Sequence, residues 1–153
     1  MGVELRNSQK RVAVDRRRLE RAARKLLKGI GRPRAWLSIL LVDDRQMAWI
    51  HGQWMGEVEP TDVLSFSQME WTRGGPRCRR KQASDGAPPE LLGDVVISVE
   101  TAARRRPGNP MGEIIRYLVH GFLHLIGYDH VRRRDRVRME RKARELTGLI
   151  ADE

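Results

Sequence analysis

Cysteine is almost missing from this 153-residue chain: Cys78 is the only one. A lone thiol excludes an internal disulfide, so the fold must rest on its core, and the composition suits a reducing compartment such as the cytoplasm. Long apolar runs are missing too. No stretch approaches the roughly 18 residues that a membrane span requires, and the opening Met1-Gly-Val-Glu-Leu-Arg-Asn7 has no apolar core of a signal peptide. These absences predict a cytoplasmic protein with no membrane partner. Acidic residues are in deficit: 20 Asp+Glu face 30 Lys+Arg, a formal net charge of +10. A small domain that basic suits a polyanion, most commonly nucleic acid, although a merely solvated basic surface has the same composition. Histidine is scarce as well, at four residues, which gives weight to where those four fall.

With 40% hydrophobic and 33% charged residues, the chain reads as one soluble domain, residues 1–153, long enough for a real core. Residues 3–6 suggest a short first strand. Asp15 is a good N-cap for a helix whose apolar face is Leu19, Ala22, Ala23, Leu26, Leu27 and Ile30, and whose outer face carries arginine and lysine from Arg16 to Lys28. Gly29 and Gly31 stop it. Trp36–Val42 reads as a buried strand, Asp43 and Asp44 as caps of a short helix to about His51, and Thr61–Phe66 as another strand. Residues 69–90, with six glycines and prolines among Arg73, Arg77, Arg79, Arg80 and Lys81, read as a long basic loop. Leu91–Ser98 is a strand, and Ser98 can cap a short helix to about Arg106. Asn109-Pro110 starts the next helix, which is apolar nearly all round from Ile114 to Ile126 and so belongs at the centre. A last helix runs from about Val131 to Thr147. Strands and helices without a regular alternation predict the α+β class.

Three of the four histidines lie in Leu118-Val-His-Gly-Phe-Leu-His-Leu-Ile-Gly-Tyr-Asp-His130. On a helix, His120 and His124 share one face a turn apart. Gly127 is a natural helix stop, after which His130 can return towards the other two. Three converging imidazoles make a metal site with an open position, and zinc is the default ion for that ligand set. The alternative, ordinary histidines on an apolar helix, serves one such residue better than it serves three in eleven positions. The open fourth position is the mark of catalytic rather than structural zinc. Glu113 and Arg116 fall on the same helix face as His120, where either could reach the site or belong to the helix surface. Asp129 could support a ligand or cap the last helix, and Tyr128 reads as packing.

His-Gly-x-Leu-His-Leu-x-Gly-Tyr-Asp-His resembles the signature of the YbeY family of bacterial endoribonucleases, the rRNA maturation factors, with Phe122 at its variable third position. Pro60-Thr-Asp-Val-Leu-Ser-Phe66 and Leu92-Gly-Asp-Val-Val-Ile-Ser98 match further family segments in the same order. The resemblance covers roughly residues 35 to 147. It implies a mixed sheet of about four strands flanked by helices, with the histidine helix beneath it, reminiscent of zinc-peptidase catalytic domains. It also implies a zinc-dependent, single-strand-specific endoribonuclease acting in late 16S rRNA 3′-end maturation and ribosome biogenesis. On this reading His120, His124 and His130 hold one zinc ion, and the partners are rRNA and ribosomal particles.

Two other readings compete. A metallopeptidase-like hydrolase would need His-Glu-x-x-His, with the glutamate as general base, and here Gly121 follows His120. A non-catalytic, ribosome-associated zinc protein is favoured by one departure from the family. Members usually carry Asn-x-x-Tyr-Arg shortly before Pro-Thr-Asp-Val-Leu-Ser-Phe, with the arginine thought to hold substrate phosphate. Here the stretch is His51-Gly-Gln-Trp-Met55, and methionine cannot pair with phosphate.

Overall fold

In the computed structural model, residues 2–55, 62–67, 69–72, 75–78, 91–128 and 133–151 are described. Strand β1 (Val3–Asn7) leads into helix α1 (Arg16–Gly29), then β2 (Trp36–Val42) and α2 (Asp44–Met55). Strands β3 (Val63–Ser67), β4 (Met69–Thr72), β5 (Gly75–Cys78) and β6 (Leu91–Ser98) follow, and helices α3 (Val99–Arg105), α4 (Pro110–Leu125) and α5 (Arg133–Ala151) complete the order.

The main sheet has the order β1-β2-β6-β3. β1, β2 and β6 run parallel, and β3 is antiparallel to β6 at the edge. This is the mixed four-stranded sheet of the α+β expectation. Side chains alternate across it, as a pleated strand requires. Leu37, Ile39, Leu41, Val95 and Ile97 enter the large core shared with α1, α3, α4 and α5. Leu40, Val42, Leu64 and Val96 turn to the other face, where Met47 and Ile50 of α2 meet them. Apolar packing therefore covers both faces, which explains why β2 and β6 are nearly continuous hydrophobic runs.

The caps follow local chemistry. Asp15 accepts a hydrogen bond from Arg18 N at the start of α1, and Asn109 accepts from Gly112 N at the start of α4. α1 ends through Gly31 at φ 74°, with Arg32 N donating to Leu27 O at 2.9 Å and Gly31 N to Lys28 O at 3.0 Å. That paired closure leaves two terminal carbonyls satisfied.

Four expectations need correction. The basic stretch 69–90 is not loop throughout, because Met69–Thr72 pairs antiparallel with Gly75–Cys78. The glycines at 74 and 75 were the available turn signal; residues 73, 74 and 79–90 lie outside the described residues. α2 continues to Met55 rather than stopping near His51. Only Asp43 caps it: its Oδ1 accepts from Gln46 N at 2.8 Å while Gln46 Oε1 accepts from Asp43 N at 3.0 Å. Asp44 turns instead to α3, accepting from Ser98 Oγ at 2.7 Å, from Thr101 Oγ1 at 2.8 Å and from Arg104. Ser98 does precede α3, but its hydroxyl makes no cap bond to a backbone amide of that helix; instead it donates to Asp44 and accepts from Thr101 Oγ1 at 3.2 Å. The last helix is α5 over Arg133–Ala151, ending four residues beyond Thr147.

Candidate metal centre

α4 is the buried central helix, with Ile114, Leu118, Phe122, Leu123 and Leu125 fully covered. It presents His120 and His124, both half-buried, on a single face. Their rings meet edge-on, with centroids 4.7 Å apart and planes at 77°. The two Nε2 atoms lie 3.2 Å from one another. Two imidazole nitrogens bound about 2.0–2.1 Å from one tetrahedral zinc would be about 3.3 Å apart. The pair therefore already has the separation of two ligands of one ion.

The helix ends as the sequence predicts. Gly127 takes φ 96°, where a side chain would be strained. Tyr128 N donates to Leu123 O at 3.0 Å and Gly127 N to His124 O at 3.2 Å, and Tyr128 packs against the main core. His130 and Asp129 lie outside the described residues. Of the three expected ligands, the structure thus brings together His120 and His124.

Gly121 has a reason that spacing could not give. A Cβ there would stand 2.8 Å from Val95 Cγ1, 3.0 Å from Val63 Cγ2 and 3.1 Å from Ser65 Oγ. Ser65 Oγ also donates to Gly121 O at 2.9 Å, and Ser67 Oγ to Leu125 O at 3.3 Å. The backbone of α4 lies directly on β3 and β6, so the position after His120 faces the sheet. A glutamate there would have to displace the Val95, Val63 and Ser65 side chains, which weighs against the peptidase arrangement.

Glu113 and Arg116 have separate places. Glu113 is only 6% exposed and accepts from Arg116 Nε at 2.8 Å and Nη2 at 3.0 Å. These bonds hold its carboxyl below the usual range despite the opposing effect of burial, and they raise the arginine in turn. Glu113 is therefore an ionised acceptor at neutral pH, not a base poised to take a proton. Arg116 lies against Tyr117, 5.3 Å from the ring centroid, and lines a groove of about 670 Å³ between α4 and α5 that reaches His120.

The three sequence motifs, far apart in the chain, are neighbours in the fold. Asp62 anchors the entry to β3: its Oδ2 accepts from Arg105 Nη1 at 2.9 Å, its Oδ1 from Val63 N at 2.8 Å and its carbonyl from Ser98 N at 2.9 Å. Arg105 Nη1 also donates to Tyr117 Oη at 3.2 Å. Gly93 of β6, at φ 150°, lets that strand pass the Phe66 carbonyl and Leu125 without a side chain in between. Burial raises the Asp44 carboxyl, but the bonds from Arg104, Ser98 and Thr101 together bring it below its ordinary value. Composition and periodicity had given Thr101, Arg104, Arg105 and Tyr117 no role, and had read Asp44 and Ser98 only as helix caps. Met55 closes α2 and His51 lies half-buried on it.

A family model described as Endoribonuclease YbeY matches residues 4–150. The chain belongs to the YbeY family. The match takes in β1, α1 and most of α5, beyond the span carried by the three motifs. Endoribonuclease YbeY of Anaeromyxobacter sp. (strain Fw109-5) is 44% identical over 156 residues, covering 98% of this chain and 74% of the relative. That of Syntrophotalea carbinolica is 37% identical, covering 99% of this chain and 95% of the relative. A solution structure of a Thermotoga maritima protein superposes with a TM-score of 0.61 at 21% identity, covering 97% of this chain and 88% of that one. At that identity the likeness is one of fold. No helix among the described residues is long and apolar enough to cross a membrane.

Proposed function

We propose that this member of the YbeY family is a zinc-dependent, single-strand-specific endoribonuclease of the cytoplasm. It acts on rRNA, at the 16S 3′ end, during ribosome biogenesis, in association with ribosomal particles. Family membership supports the reaction class. The observation that carries the metal is the 3.2 Å approach of His120 Nε2 to His124 Nε2, with His130 as third ligand.

Zinc bound there supplies Lewis acidity to a phosphate oxygen and a water of lowered pKa. The chain's own residues do the rest. Ser65 and Ser67 fix α4 on the edge strand through two backbone carbonyls, so the imidazoles are presented from a rigid element. Glu113 holds Arg116 in a bidentate grip at the side of the groove that reaches His120. There its guanidinium is available to substrate phosphate, a charge-assisted contact. Gly121 puts no carboxylate at the position after His120, so proton transfer falls to another group or to water.

A second reading, a zinc protein that binds ribosomal RNA without cutting it, keeps one observation in its favour: Met55 where the family's arginine is expected. Purified protein assayed for metal and incubated with single-stranded RNA, duplex RNA and casein separates the readings. About one zinc per chain with cleavage of single-stranded RNA alone is expected. Casein hydrolysis would make it a peptidase, and zinc with RNA binding but no cleavage would make it a binding protein.

A further inference from the structure

We infer that the groove between α4 and α5 is the subsite that seats the single-stranded RNA next to the histidines, with a base on its apolar floor and flanking phosphates on Arg136 and Arg144. This rests on the endoribonuclease reading. The groove holds about 670 Å³ and opens at one end on His120, a volume that suits a nucleotide-sized ligand rather than a duplex. Its floor is Val119 of α4 with Met139 and Ala143 of α5. Val119 and Met139 are 2% and 4% exposed, so they pack beneath the floor and hold it rigid, and the half-exposed Ala143 is the apolar residue open to the groove.

The rim supplies the charge. Arg136 and Arg144 are exposed on α5 and line the groove. Eight residues of helix separate them by about 12 Å along the axis, enough to reach phosphates on either side of a seated base. No ion pair holds either of them among the described residues. Glu140 lies on the same row, four residues from each, and offsets part of that charge, so an anion is favoured at the two ends rather than in the middle. Arg116 adds Nη1 on the facing helix, since Glu113 occupies its Nε and Nη2. An apolar floor between cationic ends matches a polynucleotide strand, in which flat bases alternate with anions.

The test uses the full chain loaded with zinc and a labelled, unstructured single-stranded oligoribonucleotide. The double variant Arg136→Gln/Arg144→Gln is compared with Arg133→Gln/Arg134→Gln, which removes the same charge from the same helix outside the groove. The groove variant should lose about 10-fold or more in affinity, and its slope of log affinity against log salt should fall by about 1.4, as loss of two single-strand phosphate contacts predicts. The control should lose less than about 3-fold and keep its slope. Zinc content should be the same in both. In the unaltered chain, a photoreactive oligoribonucleotide should crosslink to residues 136–147. Equal losses in the two variants, or crosslinks confined to other elements while the chain still cuts RNA, would overturn the groove and leave the endoribonuclease reading standing. A chain that neither binds nor cuts RNA would overturn both.

Discussion

The same substitution should have opposite signs in two helices of this protein. Gly121→Ala and Gly148→Ala each replace a helical glycine, and on propensity alone each should stabilise by about 1 kcal/mol. At Gly148 nothing lies within 4 Å of the added methyl, so the gain should appear nearly in full. At Gly121 the methyl meets Val95 Cγ1 at 2.8 Å, with Val63 and Ser65 scarcely farther away. Val95 is a fully buried, β-branched residue on a central strand and has little freedom to rotate away. Overpacking of this kind costs about 1–3 kcal/mol, and pushing β3 outward also weakens the Ser65–Gly121 hydrogen bond, worth about 1 kcal/mol. Subtracting the propensity gain leaves a net loss of about 1–3 kcal/mol, a fall in Tm of roughly 2–12 °C for a chain of this size. Gly148→Ala should raise Tm by roughly 2–4 °C. Thermal melts followed by circular dichroism, with denaturant titration as a second measure, read both. A Gly121→Ala chain as stable as the parent would refute the close packing of α4 on the sheet, and with it the explanation for the missing glutamate.

Replacing a ligand should empty the metal site: His124→Ala is expected to reduce zinc from about one ion per chain to a small fraction, and full retention by elemental analysis would remove that histidine from the ligand set. The Glu113 carboxyl is held below its ordinary value, so its ion pair stabilises the fold above the unfolded carboxylate pKa of about 4.3, and this is lost as pH falls through the lower folded value. Melts from neutral to acidic pH should therefore show a loss of Tm that Glu113→Gln makes shallower, and identical profiles would contradict the pairing with Arg116. Met55→Arg should raise RNA cleavage by on the order of 10²-fold if it restores a phosphate clamp, with zinc content unchanged; an unchanged rate with intact RNA binding would mean that another arginine already serves. RNA affinity should fall linearly on a log–log plot as salt rises, and a flat line would make the +10 charge a solvated surface only.

What the sequence determined by itself lies within a turn or two of helix or along a single strand. Asp15 and Asn109 are legible as caps because the amides they bind are three residues away. Short apolar runs placed β2 and β6, because a strand covered on both faces needs one, and helical apolar periods placed α1 and α4. His120 and His124 could be paired from spacing alone, since helix geometry fixes residues four apart. Tertiary structure decided everything that depends on which elements touch. Ser98 precedes a helix and looks like its cap, yet it bonds Asp44, 54 residues away, because α2 docks beside α3. Gly121 looks like a missing base until β3 and β6 are found against its Cα. The groove at His120 needs residues from both α4 and α5, and its lining could not be read from either helix, because a helix's own period says which face is apolar but not which neighbour will leave part of that face open.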